Sequence, residues 1–302
     1  MTRSLLDIRI GTMVRATIDR PSDYVRQIIP HGFESIQPFF FNRAPTKPEL
    51  ERLAAEIMEA IGDADVKVSS LAMFGNPLED GDLDRQARAG WEALIDCAHL
   101  FGADVVGGFT GRIRGRPIEE SLPRFREVWG ELAKRAEDRG VRIGFENCAM
   151  NGNWAGGDWN IAHNPDAWEL MFDAVPSDAL GLEWEPCHQL VYLIDPIPQI
   201  RKWADKIFHV HGKDATVRWD VVREHGIFGK HPFVQMRTPG FGDSDWTRIV
   251  SELRLAGFKG SIDIEGWHDP VYRDELEITG QVRALQYLKD CRGGPRMIGA
   301  PA

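Results

Sequence analysis

Eight short, mostly apolar runs alternate with helix-length segments along this chain, and that alternation limits the possible folds more than any other feature. The runs are Ile8 to Val14, Glu34 to Phe41, Val66 to Phe74, Asp104 to Phe109, Arg142 to Glu146, Leu180 to Glu185, Lys206 to His211 and Gly260 to Glu265. The segments between them carry helical spacing and helix-end residues. Thr46 reads as an N-cap, Pro48 falls in the first turn, and Leu50, Leu53, Ile57 and Ile61 recur on one face. Gly102, Gly140 and Gly257 close the segments Leu83 to Phe101, Pro117 to Arg139 and Asp245 to Ala256. Pro21 to Pro30, Asn164 to Val175, Pro196 to Ala204 and Asp274 to Leu288 read as the remaining helices. Strict βα alternation implies parallel strands joined by right-handed crossovers. Eight such units in 302 residues match an α/β fold, a single-domain (β/α)8 TIM barrel over residues 1–292, with 293–302 a flexible tail. A doubly wound open sheet is the alternative.

A barrel of this kind builds its site at the C-terminal ends of its strands. Strands five to eight end there in Glu146, Glu185, His211 and Glu265. One glutamate at a strand end is as readily explained by a nearby arginine as by a metal. Three carboxylates buried together without a cation would repel or take up protons. The set of three carboxylates and one imidazole suits a divalent ion of the Mg, Mn or Co type better than a structural zinc, which favours thiolate. Glu183 lies two residues before Glu185 on the same strand face and is its rival as a ligand. Long loops follow strands five and seven, Asn147–His163 and Gly212–Ser244, and loops of that length in a barrel cover a site.

Composition excludes several classes. The net charge of -10 argues against a nucleic-acid surface. No apolar run approaches the ~18 residues of a membrane span, and no secretory-type apolar stretch opens the sequence. Cys97, Cys148, Cys187 and Cys291 lack metal-ligand spacing and read as reduced thiols of a cytoplasmic protein. There is no phosphate-binding glycine loop, no dinucleotide fingerprint and no Ser-His-Asp order. Arg112, Arg114 and Arg116 form a basic run that either is solvated or receives an acidic substituent. Trp154, Trp159, Trp184, Trp219 and Trp267 fall at strand ends and loops, where tryptophan either stacks on sugar rings or fills the core.

Five stretches together resemble one family: Gly144-Phe145-Glu146-Asn147-Cys148, Glu185-Pro186-Cys187-His188, His209-Val210-His211-Gly212-Lys213-Asp214, Pro239 to Trp246, and Asp263-Ile264-Glu265. The chain is similar to the xylose isomerase-like TIM barrel family, the sugar phosphate isomerase/epimerase group related to ketose 3-epimerases. The resemblance implies one divalent metal held by Glu146, Glu185, His211 and Glu265, with Mn2+ first and Mg2+, Co2+ or Zn2+ as alternatives. It also implies proton transfer by Glu146 and Glu265, and substrate contacts from His188 and Arg218. Beside these, Lys213 and Asp214 hold either substrate or each other, and Trp184 and Trp267 are the tryptophans nearest the ligands that could stack on it. His209 would support the metal ligands from below. The family's strand-six pattern is Asp-Pro-Ser-His, so Glu185 carries one methylene more than the usual acid. Related DNA-repair endonucleases place extra histidines on strands three and four, and Leu71 to Phe74 and Gly107 to Phe109 have none.

The implied activity is that of a metal-dependent sugar isomerase or epimerase. A proton leaves the carbon beside a carbonyl, and a metal-stabilised enediolate forms. The alternative is a 3-oxo-glycoside lyase that eliminates an aglycone and works with a small partner subunit. A non-catalytic sugar-binding protein is a third class. The family implies a small-molecule sugar or glycoside as substrate and a homo-oligomer.

Overall fold

The computed structural model describes residues 7–266 and 268–293. Its main sheet contains β1 (Ile8–Arg15), β2 (Ser35–Phe41), β3 (Leu71–Phe74), β4 (Val105–Gly108), β5 (Arg142–Glu146), β6 (Leu180–Trp184), β7 (Ile207–Gly212) and β8 (Gly260–Ile264). Pairing runs β1-β8-β7-β6-β5-β4-β3-β2 and returns from β2 to β1, which closes an eight-stranded parallel barrel. The run expected from Val66 to Phe74 is broken. Lys67–Val68 pairs with the start of β2, Ser69 and Ser70 leave the ladder, and Leu71–Phe74 resumes against Phe39 to Phe41. The expected tail at 293–302 falls, beyond Gly293, outside the described residues.

Two compact units make up the chain by contact. One spans residues 13–184 and 205–210. Here Thr46 caps the helix Lys47–Ile61 in a reciprocal box with Glu49, and Leu50, Leu53, Ile57 and Ile61 are its buried face. Gly102 and Gly140 end helical segments with φ of 67° and 65°, a left-handed turn that glycine adopts at little cost. The helices Asp82–Cys97 and Ile118–Arg139 cover β4 and β5 through stacked rings. Trp91 meets Trp129 at 4.9 Å, and Trp129 meets Phe145 at 4.6 Å, both edge to face.

The other unit comprises residues 7–12, 185–204 and 211–293 of the described chain. The stretch expected as one long loop, Gly212–Ser244, has structure of its own. Asp214–Val217 pairs antiparallel with Val234–Arg237, and the helix Trp219–His225 lies between them. A short helix, Pro186–Val191, follows β6 directly, with Pro186 at its first position. Among the described residues no helix is long and apolar enough to cross a membrane.

Candidate functional site

Side chains alternate across a strand, so the placement of Glu183 fixes that of its neighbours. Glu183 is fully buried and opposite Glu146 in the β5–β6 ladder. Its carboxylate accepts from the Gln37 amide, which also donates to Ser70 Oγ at 2.7 Å, and His209 Nδ1 stands 3.1 Å from Glu183 Oε1. Gly107 makes room for this layer, because a β-carbon there would overlap the Glu183 carboxylate. Gly107→Ala is therefore expected to lower stability by about 1–3 kcal/mol through overpacking, read as an earlier urea midpoint. An unchanged midpoint would contradict this packing.

Above that layer the chain turns outward at four strand ends. Glu146 closes β5, Glu185 follows β6 as the N-cap of the short helix, His211 lies near the end of β7, and Glu265 follows β8. Glu265 is anchored by its own N–H, which donates to Gly212 O at 3.2 Å. One ligand atom from each of Glu146, Glu185, His211 and Glu265 lies within 4.8 Å of the others, and all four residues are buried. Glu183, His209 and His211 form a second such group, so Glu183 and Glu185 each stand in a metal-grade cluster.

Lys213 and two histidines serve the carboxylates. Lys213 Nζ lies 2.8 Å from Glu265 Oε1 and 3.4 Å from His188 Nε2. His188 Nε2 is 3.0 Å from Glu185 Oε1, and His268 Nε2 is 3.1 Å from Glu265 Oε1. Burial alone would push the Glu265 carboxyl up. The Lys213 ammonium and then His268 outweigh it and hold the carboxyl well below the usual range. Three buried carboxylates and one imidazole offer three oxygens and one nitrogen, a set that fits a divalent ion.

A family model described as the xylose isomerase-like TIM barrel matches residues 25–291. The chain belongs to the xylose isomerase-like TIM barrel family. Within it, the uncharacterized protein YfiH of Bacillus subtilis is 24% identical over 263 residues, covering 76% of this chain and 80% of that protein. An inosose dehydratase of Clostridium tetani is 24% identical over 188 residues, 58% of each chain. The solved 3-keto-D-glucoside 4-epimerase YcjR of E. coli superposes with a TM-score of 0.69 at 15% identity, covering 94% of this chain and 100% of that one. These comparisons agree with the family match on the fold.

The other residues expected at the site go to different places. Trp184 is fully buried and, by alternation, faces away from Glu183 and Glu185 into the layer outside the barrel. Arg218 is half-exposed and pairs with Asp220 at 2.9 Å, outside the cluster. Trp267 lies outside the described residues. Asp214 is held by backbone and indole donors. Asp214 Oδ1 accepts from the N–H groups of Ala215 at 2.8 Å and Ser244 at 3.1 Å, and its Oδ2 accepts from Trp246 Nε1 at 3.1 Å. The basic run divides: Arg112 is buried, while Arg114 and Arg116 are exposed at the surface and ion-paired. Arg112 is fully buried and donates to the carbonyls of Arg116, Asn153 and Trp154. Arg114 pairs with Glu79 and Asp84, and Arg116 with Glu120.

One participant, His268, was readable but missed. Glu185 and Glu265 each carry a histidine three residues on, His188 and His268, so a Glu-x-x-His spacing recurs at the ends of β6 and β8. Cys187 joins Glu185 and His188 in a third buried group of potential ligands.

Proposed function

We propose that this chain is a divalent-metal-dependent sugar isomerase or epimerase that moves a proton to and from the carbon beside a carbonyl. The observation that carries the reading is the convergence of Glu146, Glu185, His211 and Glu265, all buried and within 4.8 Å of one another. These four would hold the ion, Mn2+ first, with Mg2+, Co2+ or Zn2+ as alternatives. When bound, such an ion polarises the substrate carbonyl and acidifies the neighbouring C–H.

The chain supplies the proton transfers. One of Glu146 and Glu265 takes the proton, the C–H electron pair moves toward the carbonyl oxygen, and an enediolate results. The other glutamate returns a proton to the opposite face of the same carbon, giving the epimer, or to the next carbon, giving the isomer. Lys213 keeps Glu265 ionised, as a base must be. His188 and Lys213, both buried beside the carboxylates, are placed to donate hydrogen bonds to substrate oxygens. Arg218 and Trp267 are proposed as substrate contacts and carry no proton transfer; Trp184, facing away from the carboxylates, is not.

A second reading is favoured by the relatives named inosose dehydratase. The same enediolate can expel a group from the β carbon, either water or the aglycone of a 3-oxo-glycoside. His268 and Lys213 beside Glu265 would be the proton donors to the leaving oxygen.

The test is solvent exchange. Metal-loaded protein, with a chelated control, is incubated in D2O with ketoses, aldoses, inososes and 3-oxo-glycosides, and followed by mass spectrometry. Metal-dependent deuterium at an α carbon without loss of mass supports the isomerase or epimerase. Loss of water or of an aglycone moves the reading to the lyase. Neither result, with metal bound, overturns both.

The ion should also stabilise the fold. At about 100 times its Kd a ligand of the native state adds about 2.7 kcal/mol. For a chain of 302 residues that is a rise of roughly 4 °C in Tm. Glu146→Gln should lose most of the rise. Absence of any shift with Mn2+, Mg2+, Co2+ or Zn2+ would count against the centre.

A further inference from the structure

Cys187 stands where spacing along the sequence gives no sign of metal binding, yet its sulfur, a Glu185 carboxylate oxygen and a His188 ring nitrogen all lie within 4.8 Å of one another. All three residues are buried, with Cys187 and Glu185 fully so. The backbone that gathers them is short and directed. Glu185 is extended at φ -146° and ψ 144°, Pro186 opens the helix, and Cys187 and His188 occupy its first turn. Glu185 also belongs to the four-residue group with Glu146, His211 and Glu265. A carboxylate has two oxygens and can bridge two ions, as it does in two-metal sites whose ions lie about 3.5–4 Å apart.

We propose that Glu185, Cys187 and His188 form a second metal site, for a thiophilic divalent ion of the Zn2+ or Co2+ type, which shares Glu185 with the four-residue centre. The sharing rests on Glu185 being a ligand of that centre, as proposed above. The choice of ion follows from the ligands. The four-residue group offers three oxygens and one nitrogen, which suits Mn2+ or Mg2+. The second group offers one sulfur, one nitrogen and one oxygen, a set that selects zinc or cobalt and that Mg2+ avoids. Three protein ligands leave a fourth tetrahedral position for water.

Two residues of this stretch favour the second site. Cys187 brings a soft ligand, and Glu185 has an arm one methylene longer than that of aspartate with which to serve two ions. Binding releases the thiol proton to solvent as the sulfur coordinates as thiolate. Zinc held here would engage His188 and one oxygen of Glu185, so the first equivalent of zinc is expected to inhibit an enzyme already loaded with Mn2+.

Cobalt titration tests the site without reference to activity. Reduced, chelator-stripped full-length protein is dialysed against Co2+, with bound cobalt measured by elemental analysis and the near-ultraviolet sulfur-to-cobalt charge-transfer band by absorption. The wild type should bind two equivalents and show the band. Cys187→Ser should bind one and lose the band, and Cys148→Ser should keep both. Glu146→Gln should weaken the four-residue centre and leave the band intact, and Glu185→Gln should weaken both equivalents. One equivalent without a band in the wild type overturns the second site and leaves the four-residue centre standing. One equivalent with a band that Glu146→Gln does not alter overturns the four-residue centre instead. A band that survives in Cys187→Ser overturns the assignment to that sulfur. The wild-type spectrum decides the presence of sulfur ligation even where a variant fails to fold.

Discussion

Turnover is expected to fall by about 100- to 10,000-fold when Glu265 is replaced by glutamine, the usual range for removing a positioned acid or base. The replacement keeps the shape of the side chain and removes its charge and its ability to take a proton. It also leaves the Lys213 ammonium, 2.8 Å away and buried, without a charged partner on that side. Removing one member of a buried pair costs about 3–5 kcal/mol, and the glutamine oxygen can still accept from Lys213, so the lower end applies. A double variant that also carries Lys213→Met should recover part of that stability and none of the turnover. The measurements are steady-state turnover, deuterium exchange and a denaturation curve on the same preparations. Survival of turnover in Glu265→Gln would remove this residue from the chemistry.

The second large effect concerns Asp214 and depends on pH. Asp214→Ala strips the partner from three donors, Ala215 N, Ser244 N and Trp246 Nε1. Each buried donor left unmet costs about 1–3 kcal/mol. Against this, burial raises the Asp214 carboxyl from 3.8 to about 6, although Ser244, Ala215 and Trp246 favour its charged form. A carboxyl raised in the folded state contributes stability that is fully present below the unfolded value and is lost as pH rises through the folded value. The window is therefore pH 3.8 to about 6, and the loss across it is about 3 kcal/mol. The alanine variant has no such group. Its deficit against the wild type should be largest below pH 3.8, and smaller at pH 7 than at pH 4 by about 2 kcal/mol. Paired denaturation curves at the two values read this directly, and a deficit that grows with pH would contradict it.

Much of the frame was legible because period and punctuation agree along this sequence. Thr46 with Glu49, Gly102 and Gly140 mark helix ends whose geometry matches their chemistry. The four strand-end residues were legible because strict βα order fixes which ends share a rim. Trp184 shows what alternation adds. If Glu183 and Glu185 face inward, the residue between them faces outward, so the expectation of a substrate contact conflicted with the strand's own period. The stretch from Gly212 to Ser244 read as a loop because its two ribbon strands are only four residues each and the second, Val234–Arg237, is half-exposed. Arg112 read as solvent-facing because a basic run usually is. Nothing local signals that carbonyls forty residues away will take its donors. Cys187 escaped notice because its fellow ligands are neighbours on a tight turn, not spaced along a motif.

That buried arginine has a consequence for the segment that follows β5. Arg112 joins the segment after β4 to Asn153 and Trp154, in the stretch that follows Glu146. Asn160 of that stretch returns to the barrel and donates to the carbonyls of Glu146 at 2.8 Å and Cys148 at 2.7 Å. A segment stitched at both places is a wall and not a flap. Its disorder is surrendered once, when the chain folds, and no substrate has to order it again.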